Sequence, residues 1–145
     1  MKKMMIVYWS GTGNTKLMAE AIGEGAAPVW PGEIQIASVD QVSATDVLAA
    51  DALALGCPAM GDEVLEESEM EPFIELLDGK KAAAAQVALF GSYDWGDGQW
   101  MRDWVERMTA MGFPVLGEGL AVHNAPVDQD LEKCRELGKK LASLQ

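Results

Sequence analysis

The chain has 145 residues, and its mass of 15.6 kDa and 49% hydrophobic content are those of one folded domain, predicted to span residues 1–145. Its 11 Lys and Arg residues against 23 Asp and Glu residues give a net charge of −12, which argues against nucleic acid or an anionic membrane as the main partner. With two cysteines and one histidine, neither a Cys/His zinc site nor a disulfide scaffold is expected.

Short apolar runs alternate with amphipathic stretches along the chain, which is typical of strands separated by helices in a parallel sheet. The spacing of apolar side chains between the runs predicts four helices and a shorter fifth one. The predicted strands are 4–9, 34–39, 52–57, 87–91 and 115–122, and the predicted helices lie around 18–22, 45–50, 70–77, 101–108 and 134–141.

The N-terminal sequence has two lysines followed by the apolar residues 4–9, as a signal peptide does. That run is shorter than the roughly 7–15 apolar residues of a secretory signal, and no stretch approaches the ~20 apolar residues that span a bilayer. We therefore expect a cytoplasmic protein that does not bind membranes.

The order of elements predicts an α/β fold of the doubly wound type, with five parallel strands and helices on both faces. In such sheets, ligands bind outside the carboxyl ends of the strands. The loops that follow the first, third and fourth strands are therefore the predicted functional positions.

The first loop, residues 10–15, joins the first strand to an amphipathic helix. Its two glycines permit a tight turn, the helix N-terminus adds positive potential, and its polar side chains add donors, which together predict an anion site. A dinucleotide fingerprint would need glycine where Lys16 stands, and the triplet of a Walker loop is absent. The alternative is an ordinary glycine-rich turn with capping hydroxyls.

The second loop, residues 58–63, leads into an acidic segment. Gly61 permits positive φ, so a turn centred on Gly61 and Asp62 can switch between two peptide orientations at little steric cost. Met60 can lie against a flat ligand through its polarizable thioether. Taken alone, this loop is explained better as an acidic surface turn with Met60 in the core.

The third loop, residues 92–98, places Tyr93 and Trp95 among glycines and acids. A Trp at the carboxyl end of a strand can serve as a stacking platform for a planar ring, although it can also cover the next helix. Together the three loops describe a phosphate site and a flat ring between Met60 and Trp95. A planar cofactor with a single phosphate fits this description better than a dinucleotide.

At these residues the chain resembles the short-chain bacterial flavodoxins, which are FMN-containing electron carriers. Residues 10–15 match the phosphate loop of that family, residues 56–63 its middle loop, and residues 90–93 and 95–98 its third loop. The resemblance covers nearly the whole chain and implies a flavodoxin-like sheet with strand order 2-1-3-4-5.

The resemblance also implies the roles of individual residues. Met60 and Trp95 would flank the isoalloxazine, Glu63 would hydrogen-bond its N3 edge, and the Gly61–Asp62 peptide would flip on one-electron reduction to offer a carbonyl to N5. The residues expected at the phosphate are Ser10, Thr12, Asn14, Thr15 and Ser92. The full expected set is Ser10, Gly11, Thr12, Gly13, Asn14, Thr15, Pro58, Ala59, Met60, Gly61, Asp62, Glu63, Ser92, Tyr93, Asp94, Trp95 and Gly96.

The function implied by the resemblance is a monomeric, low-potential electron carrier, not an enzyme, that cycles mainly between the semiquinone and hydroquinone of FMN. Its partners would be redox proteins with basic docking faces. The alternative is an FMN-dependent quinone or nitro reductase, and a phospho-receiver is a weaker third reading because the first strand does not end in acidic residues. The acidic residues expected to steer partners are Asp62, Glu63, Glu66, Glu67 and Asp97.

Two features depart from the family pattern. Asp94 stands where close relatives often have glycine, so we expect backbone strain there if φ is positive, and a negative charge beside the ring. The alanine run 82–85 looks like a local insertion without an assigned role. We expect His123 in a surface or packed position, and Cys57 and Cys134 as buried apolar side chains.

Overall fold

The computed structural model describes residues 2–144, which form a five-stranded sheet in the order β2-β1-β3-β4-β5. All four neighbouring pairs of strands are parallel. The predicted sheet and its order are therefore confirmed. The strands are β1 Lys3–Tyr8, β2 Glu33–Ser38, β3 Ala52–Gly56, β4 Val87–Tyr93 and β5 Leu120–His123.

Five helices cover the two faces of the sheet, as predicted. One apolar cluster packs α1 and α5 against one face, and a second cluster packs α2, α3 and α4 against the other. A short 3₁₀ turn follows β2. The helices are α1 Asn14–Ala26, α2 Ala44–Ala49, α3 Met70–Leu77, α4 Gln99–Ala110 and α5 Asp128–Ser143, and the 3₁₀ turn is Val39–Gln41.

The fifth strand is shorter than predicted. Residues 115–122 were expected as one strand, but β5 begins at Leu120, and Val115 forms only an isolated bridge with Val87. Gly117 and Gly119 lie between them with φ of 66° and 80°, a left-handed backbone that a strand cannot contain. The predicted strand was too long because the apolar pattern of the sequence continues across a segment that the two glycines bend.

The alanine run 82–85 lies in the connection between α3 and β4. The N–H of Ala83 donates to the carbonyl of Leu48 at 2.8 Å, and Ala84 is buried in the core cluster that contains α3. The run therefore ties this connection to α2, a role that its sequence alone did not indicate.

The register of the sheet brings the carboxyl ends of its central strands together. Tyr8 at the end of β1 pairs with Gly56 at the end of β3, and Gly56 pairs with Phe90 in β4. The chain leaves β1 toward one side of the sheet and β3 toward the other, so the winding reverses between them. A crevice at this edge is the expected result.

No helix within residues 2–144 is both long and apolar enough to cross a membrane.

Candidate functional site

A pocket of about 380 Å³ opens at the carboxyl edge of the sheet, within the roughly 300–1,000 Å³ of ordinary small-molecule sites. All three predicted loops contribute to it. The predicted residues that line the pocket are Gly11, Thr12, Asn14, Pro58, Ala59, Met60, Gly61, Ser92, Tyr93, Asp94 and Trp95.

Some predicted residues lie beside the pocket, and some lining residues were missed. Missed residues are Trp9, Asn124 and Ala125. The last two follow β5, whose carboxyl end lies at the same edge of the sheet as that of β4, so the rule that indicated the other loops also applied to this turn. The predicted residues outside the lining are Ser10, Gly13, Thr15, Asp62, Glu63 and Gly96.

The first loop forms an open helix N-terminus. Ser10 Oγ accepts hydrogen bonds from the N–H groups of Gly13 at 3.1 Å and Lys16 at 3.3 Å, which folds the loop around its own hydroxyl. Gly13, with φ of 97°, precedes α1 and has no side chain to cap it. The first-turn N–H groups of Asn14 and Thr15, which helix geometry leaves unpaired, are therefore available to an anion.

A buried pair of hydroxyl groups joins the first loop to the third. The Thr15 and Ser92 oxygen atoms are 3.2 Å apart, and the two residues are 1% and 5% exposed. Ser92 also lines the pocket, whereas Thr15 does not. This pair fixes the start of the third loop relative to α1.

The second loop is a closed turn. Met60 and Val64 exchange backbone hydrogen bonds of 2.8 and 2.9 Å, and the three residues between them form the turn. Gly61 has φ of 45° and Glu63 has φ of 59°. The expected positive φ at Gly61 is present, while the left-handed backbone at Glu63 was not foreseen.

Behind this turn, Glu66 caps the start of α3. Its carboxylate accepts backbone N–H bonds from Ser68 at 2.8 Å, Glu69 at 2.7 Å and Met70 at 3.0 Å, and a hydrogen bond from the Ser68 hydroxyl. Its own N–H donates to Cys57 Sγ at 3.4 Å. Glu66 is 6% exposed, so its expected place on an acidic docking surface is wrong.

The protonation of Glu66 reflects these contacts. Burial by itself raises the pKa of this carboxyl, but the hydrogen bonds from Ser68, Met70 and Glu69 stabilise the charged form and lower its pKa overall. Burial also raises the pKa values of the Cys57 and Cys134 thiols to about 12, which agrees with their expected role as buried apolar side chains.

Glu63 carries an acceptor that lacks a partner within the described residues. Its Oε1 atom is buried without a hydrogen bond, and a Cβ atom at Gly96 would lie 2.1 Å from it, so the carboxylate reaches under the third loop. An unpaired buried acceptor costs about 1–3 kcal/mol, which a donor on a bound ligand would recover. Glu63 does not line the pocket described above but a separate depression that Trp100 and Arg107 also line.

The third loop bends at two glycines. Gly96 and Gly98 have φ of 88° and 90°, and Trp95, between Asp94 and Gly96, is 60% exposed. Within residues 2–144, the non-glycine residues with positive φ are Glu63 and Asn124. The expected strain at Asp94 is therefore absent, although Asp94 does line the pocket.

The fold and the pocket define a small α/β protein that binds its cofactor where the winding of the sheet reverses. Residues 6–138 match the family model described as Flavodoxin. The chain is 51% identical to the flavodoxin of Clostridium beijerinckii, over 97% of this chain and all of that protein, and 42% identical to that of Megasphaera elsdenii, over 94% and 96%.

A solved structure, the two-electron-reduced flavodoxin of Megasphaera elsdenii, superposes with a TM-score of 0.80 at 40% identity, covering 97% of this chain and 98% of that one. The chain belongs to the flavodoxin family. It is accordingly an FMN-binding electron carrier and not an enzyme. The N-terminus of α1 and the Met60 and Trp95 side chains fit such a cofactor.

Proposed function

We propose that this protein transfers single electrons at low potential, using chiefly the couple between one-electron-reduced and fully reduced FMN. The observation that supports this is the pocket itself, which combines the N-terminus of α1, where Gly13 provides no side-chain cap, with Met60, Trp95 and the glycine turn at residue 61. FMN supplies the redox chemistry, and the residues of the chain bind and orient it.

We assign the following roles to residues that line the pocket and to Ser10, Thr15 and Glu63, which do not line it. The N-terminus of α1 and the neighbouring hydroxyl groups hold the phosphate, Met60 and Trp95 flank the ring, and Glu63 accepts a hydrogen bond from its edge. We also include Trp9, Asn124 and Ala125, because they line the same pocket. The phosphate ligands proposed are Ser10, Thr12, Asn14, Thr15 and Ser92.

Flavodoxins act as redox carriers with protein partners, and the partners proposed here have basic docking faces. Asp62, Glu67 and Asp97 are exposed, and the net charge of −12 supports attraction to a basic surface. We further propose that the protein is a cytoplasmic monomer and that residues 1–145 form one domain.

A reductase acting on quinones or nitro compounds is not favoured. Such an enzyme must place a nicotinamide or a substrate over the ring, whereas Trp95 lines the same pocket. Rapid oxidation of NADH by the purified protein would favour the reductase over the electron carrier.

The test is a stepwise anaerobic reduction of the purified protein, reconstituted with FMN if it is colourless and followed by visible spectroscopy. The proposal requires a persistent long-wavelength band of one-electron-reduced flavin. Direct bleaching in a single two-electron step would favour the reductase. Failure to bind FMN would contradict the assigned pocket.

Gly61→Val is expected to lower the yield of one-electron-reduced FMN. A β-branched residue is disfavoured at φ of 45° by roughly 1–2 kcal/mol, so it restricts the turn to fewer peptide orientations. No described atom lies within 4 Å of a Cβ at Gly61, so the effect is conformational and not a clash. The measurement is the maximum long-wavelength absorbance during the titration.

Gly79→Val is the matched control for this experiment. Gly79 also has positive φ, at 77°, and equally open space around its Cβ position, but it follows α3 and does not line the pocket. We expect a similar loss of folding stability without a change in the redox titration. An equal yield in the Gly61 variant and its parent would exclude a redox role for this turn.

Asp94→Gly is expected to raise the potential of the second electron. Two unit charges about 10 Å apart repel by on the order of 1–2 kcal/mol at an effective dielectric near 20, and about 1.4 kcal/mol corresponds to ~59 mV for one electron. Removing the Asp94 carboxylate from the pocket relieves this repulsion from an anionic reduced ring. Potentiometry at low salt measures the shift, and an unchanged value would contradict this role.

A further inference from the structure

The turn after β5 meets the third loop at the edge of the pocket. His123 is the last residue of β5 and pairs with Tyr93 at the end of β4. The N–H of Asn124 donates to the Tyr93 carbonyl at 2.7 Å, which continues the pairing by one residue. Asn124 itself has φ of 62° and lines the pocket.

The His123 side chain reaches across to the third loop. Its Nε2 atom is 3.1 Å from the Asp94 carbonyl oxygen, and its ring packs against that of Tyr93 with centroids 5.0 Å apart. The Tyr93 ring packs in turn on Trp100 at 5.4 Å. The imidazole is thereby packed at the end of a row of two aromatic rings.

These contacts define the tautomer of His123. A carbonyl oxygen only accepts hydrogen bonds, so Nε2 must carry the proton that it donates to Asp94. Nδ1 of the neutral ring is then a bare acceptor, and it lies 3.4 Å from the side-chain nitrogen of Asn124, which donates to it. In this neutral Nε2–H tautomer, both ring nitrogens have a hydrogen-bond partner.

The third loop has side-chain anchors at its two ends. At its start, His123 binds the carbonyl of Asp94, and at its end Arg102 binds the carbonyl and carboxylate of Asp97 at 3.1 and 2.9 Å. Trp95 lies between the two anchors and is largely exposed. The backbone on both sides of Trp95 is therefore held by a side chain from outside the loop.

We propose that His123 is a positioning residue, which holds the Asp94 carbonyl and thereby keeps Trp95 in place against the flavin ring. The inference rests on the proposed function of the pocket, because the benefit of an ordered Trp95 is tighter binding of the ring. His123 contacts no phosphate ligand of the set assigned above, so its effect is confined to the ring end of the cofactor.

The test compares two variants in the full-length protein. His123→Phe keeps an aromatic ring beside Tyr93 and removes the hydrogen-bond donor, whereas His123→Gln keeps a donor. We expect the Kd of FMN and the Kd of riboflavin, which has no phosphate, to rise by the same factor of about two to ten in the Phe variant. The Gln variant is expected to recover most of this loss.

A second measurement is made without flavin. Amide hydrogen exchange at residues 95–97 is expected to accelerate several-fold in the Phe variant, with exchange in the sheet unchanged. In the parent, ¹⁵N NMR of the neutral imidazole must show a protonated Nε2 and a bare Nδ1. This last result does not depend on the folding of any variant.

The outcomes separate this inference from the proposed function. Any of three results would overturn the role of His123. These are an Nδ1–H tautomer in the parent, amide exchange and Kd values that do not change in the Phe variant, and a Gln variant that behaves like the Phe variant. A parent that binds neither flavin would instead refute the proposed function, and the exchange and tautomer data would then decide whether His123 orders the loop.

Discussion

Glu66→Ala is expected to destabilise the protein by about 2–4 kcal/mol and to weaken FMN binding as well. Loss of a helix N-cap costs about 0.5–2 kcal/mol, and each buried donor left unpaired adds about 1–3 kcal/mol. Glu66 accepts three backbone N–H bonds at the start of α3 while its own N–H is bound to Cys57, at the end of β3. It thus fixes both sides of the second loop.

The effect of Glu66 depends on pH in a defined direction. Its pKa is lower in the folded protein than its ordinary value of 4.5, so the folded state favours the charged form. The resulting stabilisation is fully present above about pH 4.5 and is lost as the pH falls through the lowered folded pKa. The stability gap between the parent and Glu66→Gln should therefore narrow below about pH 4.5.

Denaturant unfolding between about pH 7 and pH 3 measures this gap. Glu67→Ala is the matched control, because Glu67 is adjacent and acidic but exposed, and its substitution should change stability by less than about 0.5 kcal/mol. Equal losses of stability in Glu66→Ala and Glu67→Ala would show that the carboxylate of Glu66 does not cap α3.

Much of the fold followed from local sequence signals. The strands β1, β3 and β4 are apolar runs that end at glycine-rich or polar loops, β2 alternates polar and apolar residues, and the helices carry apolar stripes that the sheet buries. Residues 115–122 carry the apolar pattern of one strand, but periodicity does not register that Gly117 and Gly119 adopt left-handed φ. Composition alone does not distinguish such glycines from glycines in extended backbone.

The candidate site was only partly predictable. The three loops follow from the rule that ligands bind at the carboxyl ends of parallel strands, but side-chain contacts between distant loops leave no pattern in the sequence. Glu66 looks like one acid in an acidic run and is instead a buried cap, and the contact of His123 with Asp94 joins residues 29 positions apart. Such contacts arise from tertiary packing.

The second large effect on folding stability is expected at the close contact between α1 and α5. A Cβ atom at Gly138 in α5 would lie 1.9 Å from the carbonyl oxygen of Ile22 in α1, and a Cβ atom at Gly25 in α1 would lie 1.8 Å from the carbonyl oxygen of Arg135 in α5. Each helix thus presents a glycine to the backbone of the other. A backbone atom cannot rotate aside as a side chain can.

Gly138→Ala is therefore expected to destabilise the protein by about 2–3 kcal/mol, since one methyl group forces the helices apart. The sign of this change in stability is informative, because replacing glycine by alanine inside a helix ordinarily stabilises the helix by about 0.8–1.0 kcal/mol. Separation of the helices would also shift α1, whose N-terminus begins at the first loop, so FMN affinity should fall with stability.

Lys139→Ala supplies the control on the same helix. Lys139 is the next residue and is exposed, so its substitution tests helix propensity without the contact to α1 and should change stability by less than about 0.5 kcal/mol. Denaturant unfolding of both variants measures the two changes in stability.

If Gly138→Ala were more stable than the parent, helix propensity would outweigh packing, and the helices would not be in backbone contact in solution. A loss of stability confined to Gly138→Ala would establish that the spacing of α1 and α5, and with it the placement of the first loop, depends on the absence of a single methyl group.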